Sequence, residues 1–219
     1  MISEEDFLSG NTILSLLKLR TSYGLTGNAE IGNFDHLGLF GTGAYGQVSG
    51  LIPDQIPNPD LRWEKTAQFD IGLEFGLFED RITGELDYYH KKTYDLLLDV
   101  PVPGTTGFLT QTQNVGDMKN YGFEVVLNSA NIVKPNFSWT TSLNLARNFN
   151  EVTALAEGQT SIPSGASSFL NAITVGQPVG AFHGVAYAGV DPNNGDALFY
   201  SNEEKTETTN NFNEASRMT

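Results

Sequence analysis

The sequence QFDIGLEFG at residues 68–76 decides the fold class, because apolar side chains alternate in it with polar side chains and glycine. Successive side chains of an extended strand point to opposite faces, so this stretch would present one apolar and one polar face. The apolar set consists of Phe69, Ile71, Leu73 and Phe75. The alternation therefore predicts a β-strand that is covered differently on its two sides.

Four further segments repeat this period-two pattern, which predicts five strands near residues 14–25, 66–77, 81–94, 120–131 and 136–149. The links from the second strand to the third and from the fourth to the fifth are short. The other connections, 26–65, 95–119 and 150–200, are long, and we expect loops there with one short hairpin after Asn148. Residues 201–219 form a polar, acidic tail. The pattern predicts an all-β fold, an antiparallel up-and-down meander.

The composition excludes several classes of protein. The chain of 219 residues carries 12 Lys and Arg against 26 Asp and Glu, a net charge of −14, which disfavours binding to nucleic acid. It has no cysteine, which excludes a disulfide scaffold and a thiolate zinc site. No stretch approaches the roughly 20 apolar residues of a transmembrane helix.

Short turns at one end of a meander and long loops at the other are typical of bacterial outer-membrane β-barrels. In such a barrel the apolar face meets lipid, and closure of the sheet satisfies every backbone hydrogen-bonding group. A soluble β-sandwich that binds carbohydrate fits the same alternation, with the apolar face as its core. The alternation leaves both interpretations open.

Several stretches resemble one family in the order in which that family has them, the SusC/RagA-like TonB-dependent outer-membrane transporters of Bacteroidota. They are LKLRTSYGLTGN at 17–28, NPDLRWEKT at 58–66, QNVGDMKNYG at 113–122, VGQPVG at 175–180 and GVDPNNGD at 189–196. The resemblance implies that the strands belong to the C-terminal part of a barrel of about 22 strands. It also implies that the long connections are extracellular and that the chain is an internal fragment whose tail is truncated.

The family resemblance further implies a function and its partners. A transporter of this kind lies in the outer membrane and imports glycans, oligosaccharides or peptides. A SusD-like surface lipoprotein would capture the substrate above the loops, and TonB would act through a plug domain that this chain lacks. The barrel wall would contact outer-membrane lipid, and the fragment would supply wall and loops.

Charged side chains on the polar faces are the candidate site residues, because in a barrel they would line the lumen. These lumen-facing candidates are Lys18, Arg20, Asp70, Glu74, Glu85, Asp87 and Glu124. They would either border a transport path or solvate the wall and pair with plug residues. The loop aromatics Tyr45, Tyr94, Phe108, Phe169, Phe182 and Tyr187 would stack on sugar rings, pack against a partner, or anchor the loops.

We predict no enzyme activity and no cofactor. The histidines His36, His90 and His183 are far apart in the sequence and do not have the spacing of metal ligands. Oxygen ligands of calcium could come from Asp191, Asn193 and Asp196. A turn explains the same segment, since Asp-Pro and Asn-Gly are turn formers, and we favour the turn.

Overall fold

The computed structural model describes residues 2–8, 10–29, 33–46, 48–156, 158–163 and 171–218. Strands dominate, with three short 3-10 helices at Ile2–Glu4, Asp6–Leu8 and Gly104–Thr106. No helix in these ranges is long and apolar enough to span a membrane. In chain order the strands are β1 (Leu14–Asn28), β2 (Phe40–Tyr45), β3 (Val48–Pro53), β4 (Glu64–Leu77), β5 (Ile82–Tyr94), β6 (Leu97–Pro101), β7 (Thr110–Asn114), β8 (Asp117–Lys134), β9 (Phe137–Ala154), β10 (Ser161–Pro163), β11 (Asn171–Thr174), β12 (Ala181–Phe182), β13 (Gly184–Val185), β14 (Tyr187–Val190), β15 (Ala197–Tyr200), β16 (Thr208–Thr209) and β17 (Arg217–Met218).

The five longest strands form one antiparallel sheet in the order β1-β4-β5-β8-β9. Each long strand pairs with the next long strand in the chain, so the predicted all-β, antiparallel meander is confirmed. The register places Leu73 opposite both Leu19 and Leu86, and Leu86 opposite Val125. Side chains of one parity therefore share one face across neighbouring strands.

Short and long connections alternate between the strands of this sheet. Residues 78–81 join β4 to β5, and Pro135 and Asn136 join β8 to β9. The long connections are not plain loops: β2 and β3 form a hairpin within residues 26–65, and β6 and β7 form another within 95–119. Both hairpins lie at the end of the sheet opposite the short turns.

The turn between β4 and β5 is held in an unusual conformation. Phe78, Glu79 and Asp80 have φ values of 56°, 54° and 62°, which is the left-handed region for three successive residues that are not glycine. The Ser15 hydroxyl donates a hydrogen bond of 2.6 Å to the Asp80 carboxylate, and the Asp80 backbone N–H donates to that hydroxyl at 3.2 Å. The first strand thus fixes the geometry of this turn.

The apolar face of the five-stranded sheet is exposed. Leu19 is 53% exposed, Leu86 42%, Phe123 46% and Leu145 55%. Among the described residues, the buried hydrophobic side chains are Val100, Val152, Ile162 and Ala172, all outside this face. A soluble sandwich would need this face as its buried core, whereas these side chains are exposed among the described residues.

Aromatic rings form a row across the same face near the end with the long connections. Phe69 lies opposite Tyr23 and His90 in the register, and His90 lies opposite Tyr121. The rings of Tyr121 and Phe149 stack with their centroids 5.1 Å apart, which extends the row to β9. Rows of aromatic side chains at the two lipid–water interfaces are characteristic of outer-membrane barrels.

The chain divides into two compact units, Met1–Asn150 and Glu151–Thr219, whereas we expected a boundary after Tyr200. The described residues of the second unit form three small sheets, β10-β11-β12, β13-β17 and β14-β15-β16. Strands β16 and β17 lie in the expected polar tail and pair with earlier strands of this unit. The expectation of loop with a single hairpin after Asn148 was therefore wrong, because these strands are too short to show a period.

Candidate functional site on the polar face of the sheet

The polar face carries a charged network that crosses three strands. The Arg20 guanidinium of β1 contacts Glu74 of β4 through Nε at 2.7 Å, and it contacts Glu85 and Asp87 of β5 through Nη2, the latter at 3.1 Å. The Lys18 ammonium lies 3.2 Å from the same Glu74 carboxylate. Five of the seven predicted lumen-facing residues therefore belong to one cluster.

A glycine makes room for this cluster. Gly72 lies opposite Arg20 on one side and Asp87 on the other. A Cβ atom there would overlap the Asp87 carboxylate and lie 3.1 Å from Arg20 Nη2. The absence of a side chain at position 72 lets the guanidinium cross β4 and reach β5, a role that glycine in a strand often has. Sequence alternation alone did not single out this residue.

The other two predicted residues flank the network. Asp70 accepts hydrogen bonds from the Ser22 hydroxyl at 2.9 Å and the Gln68 amide at 2.9 Å. Glu124 lies opposite Asp87 in the register and is exposed, and no ion pair joins it to another described residue. The polar face thus combines ion-paired carboxylates with the exposed carboxylate of Glu124.

A second polar contact links β5, β8 and β9 beside the network. The Tyr89 hydroxyl donates a hydrogen bond of 2.9 Å to the Asn148 side chain. The Tyr89 ring lies over Gly122 of β8, where an added Cβ would come within 2.9 Å of the ring. Coverage of a strand glycine by a neighbouring aromatic ring pins the register of the strands. In the sequence, the signals for this contact are a glycine and a tyrosine at polar-face positions of two neighbouring strands, Gly122 and Tyr89.

The long connections of the first unit are tied together by amide side chains. Asn58 donates to the Thr112 carbonyl at 2.9 Å, Gln111 donates to the Pro57 carbonyl at 2.9 Å, and Asn114 accepts from the Arg62 N–H at 2.6 Å. Two clefts of about 470 and 490 Å³ lie between these connections. Phe108 borders both clefts.

The remaining loop aromatics lie in different settings. The Lys92 ammonium lies 4.5 Å from the centre of the Tyr94 ring, and Tyr187 packs edge-on against Phe199 at 6.2 Å. Phe182 is 82% exposed. The side chain of Tyr45 and the whole of Phe169 lie outside the described residues.

The calcium candidate lies in the turn between β14 and β15. The Asp191 carboxylate accepts hydrogen bonds from the Asn193 backbone at 2.9 Å and from its amide at 3.0 Å. The Asp196 carboxylate accepts from Asn194 at 2.8 Å, and Gly195 has a φ of 81°. These bonds form a hydrogen-bonded turn, and calcium binding by Asp191, Asn193 and Asp196 stays a prediction.

A sheet with one exposed apolar face, an aromatic row and a charged opposite face has the character of a β-barrel wall. Residues 13–215 match the profile of the TonB dependent receptor-like, β-barrel family, and the chain belongs to that family. The family is one of outer-membrane transporters. The predicted resemblance to SusC/RagA-like transporters is confirmed by the relatives described next.

Curated relatives and a solved structure agree with this assignment. The chain is 44% identical over 157 residues to the TonB-dependent receptor P39 of Formosa agariphila, which covers 71% of this chain and 15% of that receptor. It is 42% identical over 170 residues to the TonB-dependent receptor SusC of Bacteroides thetaiotaomicron, covering 73% of this chain and 17% of SusC. It superimposes on the RagAB peptide transporter with a TM-score of 0.85 at 34% identity, covering 97% of this chain and 24% of that one. The chain therefore spans about a quarter or less of the length of these proteins.

Proposed function

We propose that this chain forms part of the wall and loops of a TonB-dependent outer-membrane transporter that imports glycans, oligosaccharides or peptides. The observation that carries the proposal is the sheet with an exposed apolar face on one side and the Arg20 network on the other. Exposed leucine and phenylalanine are stable in contact with lipid chains, and carboxylates and guanidinium groups are stable in a hydrated lumen.

In this function the polar-face residues keep the lumen wall hydrated and rigid. Arg20 ties three strands together and, with Lys18, offsets part of the negative charge of Glu74, Glu85 and Asp87. Asp70 and Glu124 leave negative charge on the wall, where it is available to basic groups of a plug or of a passing substrate. None of these residues needs to carry out covalent chemistry for substrate to pass.

The end of the five-stranded sheet that carries the long connections is the proposed extracellular side. The hairpins β2-β3 and β6-β7 lie there, and each exposes an apolar side chain: Leu51 in the first is 74% exposed and Leu109 in the second is 79% exposed. Exposed apolar loops support a partner of the SusD lipoprotein type that would cover them. RagAB is described as a peptide transporter, which supports peptides as one of the proposed substrate classes. TonB would act on a plug domain of the complete transporter.

Reading the coding DNA beyond both ends of this chain is the first test. The proposal expects an open frame that continues upstream into a plug domain and downstream into further alternating strands. Stop codons on both sides of a short gene would contradict transport by this protein.

A labelling experiment in the complete transporter tests the orientation. The chain contains no cysteine, so single cysteines can be introduced without background from this segment. Thr105→Cys lies in the long connection after β6, and Glu79→Cys lies in the short turn after β4. In intact cells a membrane-impermeant maleimide should label only Thr105→Cys, and Glu79→Cys should react after the outer membrane is permeabilised. Labelling of Glu79→Cys alone in intact cells would contradict the proposed orientation.

A further inference from the structure

The basic residues of the second unit converge on one cavity. The segment 151–219 contains eight Asp and Glu but only two Lys and Arg, which are Lys205 and Arg217. Both line a cavity of about 440 Å³, together with His183, the single histidine of this segment. With the Glu203 carboxylate also in the lining, the cavity has two cationic side chains against one anionic side chain, in a chain whose net charge is −14.

Three separate parts of the unit build the cavity. Pairing of β13 with β17 places Arg217 opposite Val185, two residues after His183. Pairing of β10 with β11 places Ser161 opposite Thr174, with their hydroxyl oxygens 3.0 Å apart. The remaining lining residues are Thr160, Gln177 and Glu203.

Lys205 is held in the cavity wall by a constrained loop. Its φ of 55° lies in the left-handed region, which is unfavourable for a residue with a Cβ atom. Asn202 stabilises this conformation, because its side chain accepts hydrogen bonds from the backbone N–H groups of Thr206 at 3.0 Å and Glu207 at 3.1 Å. Its backbone carbonyl also accepts from the Lys205 N–H at 3.2 Å. Strained backbone that is fixed by its surroundings is often found at binding sites.

We propose that this cavity binds an acidic sugar unit of the transported substrate through its carboxylate or sulfate group. Lys205 and Arg217 are exposed at the cavity, so an anion arriving from solvent can reach both. Charge-assisted hydrogen bonds from ammonium and guanidinium groups are among the strongest that proteins make. The hydroxyls of Ser161 and Thr174 and the amide of Gln177 suit the hydroxyl groups of a saccharide. The source of the ligand rests on the proposed function, since the sugar would arrive as transport substrate.

Calorimetric titration of the complete transporter in detergent tests this site. The probes are sodium glucuronate, sodium sulfate and glucose, used at low ionic strength because salt screens exposed charges. Glucuronate and sulfate should bind, and glucose should bind at least about tenfold more weakly.

Substitutions then assign binding to the cavity. Lys205→Asn removes the charge while keeping a residue that tolerates the left-handed region, and it should weaken glucuronate binding about tenfold. Lys205→Arg should retain binding. The matched control Lys134→Asn removes an exposed lysine at the end of β8, and it should leave the affinity unchanged.

Besides a failure of the unmodified transporter to bind glucuronate, two results would overturn the inference. One is equal glucuronate affinity for Lys205→Asn and the unmodified transporter. The other is that a short peptide binds through its free C-terminal carboxylate whereas glucuronate and sulfate do not bind. That result would assign the cavity to peptides. Labelling of Thr105→Cys in intact cells reports assembly separately. A correctly oriented transporter that fails to bind glucuronate therefore contradicts only this site and not the proposed function.

Discussion

Gly122→Ala should destabilise the barrel, and Gly24→Ala should not. Both glycines lie on the polar face of the same sheet. A Cβ at position 122 would lie 2.6 Å from the Arg147 carbonyl oxygen, 2.7 Å from Asn148 Oδ1 and 2.9 Å from the Tyr89 ring. At position 24 nothing lies within 4 Å of the added atom.

The size of the loss in stability for Gly122→Ala depends on which of these neighbouring atoms can move away from the added Cβ. The Asn148 and Tyr89 side chains can rotate away, but only with loss of the hydrogen bond between them. The Arg147 carbonyl is backbone, so β8 and β9 must separate locally. Overpacking of this kind costs about 1–3 kcal/mol. Gly24→Ala meets no obstacle and should gain up to about 1 kcal/mol, because alanine loses less backbone entropy than glycine on folding.

Equilibrium unfolding of the complete transporter in phospholipid vesicles, followed by tryptophan fluorescence, measures both free energies. Migration of unheated samples in gel electrophoresis reports the folded fraction independently. The opposite sign for the two variants is the expected result. A Gly122→Ala variant as stable as Gly24→Ala would show that β8 and β9 do not approach each other as described.

Three further substitutions are checked with the same unfolding assay. Arg20→Gln should lower the free energy of unfolding by about 1–2 kcal/mol, because three carboxylates lose a shared cation. Lys65→Gln removes a cation that pairs with one carboxylate, and it should lower the free energy of unfolding by less than about 1 kcal/mol. Equal losses for the two variants would contradict the network. Glu79→Gly should stabilise by up to about 1 kcal/mol because it relieves a φ of 54°, and a loss of stability would argue against the turn geometry. Leu86→Arg on the apolar face should lower the free energy of unfolding in lipid by about 2–4 kcal/mol. Val126→Arg on the polar face should change the free energy of unfolding little. Similar losses for the two variants would show that both faces meet the same medium.

The five long strands were predictable because each has a strict period of two. The segments from Phe69 to Phe75 and from Tyr121 to Leu127 carry enough alternating residues to define both strand and face. The same alternation placed the seven charged candidates on one face, since side-chain direction follows from parity. Strands that follow each other in the chain usually pair, which favoured a meander.

Other features depended on contacts that sequence spacing does not show. Arg20 meets Asp87 across the space that Gly72 leaves between them, and that contact requires the register of three strands. The hairpin at Phe40–Tyr45 and Val48–Pro53 has glycines among its apolar residues, which weakens the alternation.

The second unit was harder to predict for a related reason. Its strands contain two to four residues each, too few to display a period. His183, Lys205 and Arg217 come together through pairings between distant segments, and no short motif marks their convergence.

The most direct test of the central claim compares two adjacent residues of β5. Glu85 and Leu86 point to opposite faces, and we expect the first to meet water in the lumen and the second to meet lipid. A bimane fluorophore attached to a single cysteine at position 86 of the complete transporter should be quenched by lipids with brominated acyl chains. The same fluorophore at position 85 should be quenched by aqueous iodide. Quenching of both positions by iodide, with no effect of brominated lipid, would contradict a membrane-spanning barrel wall.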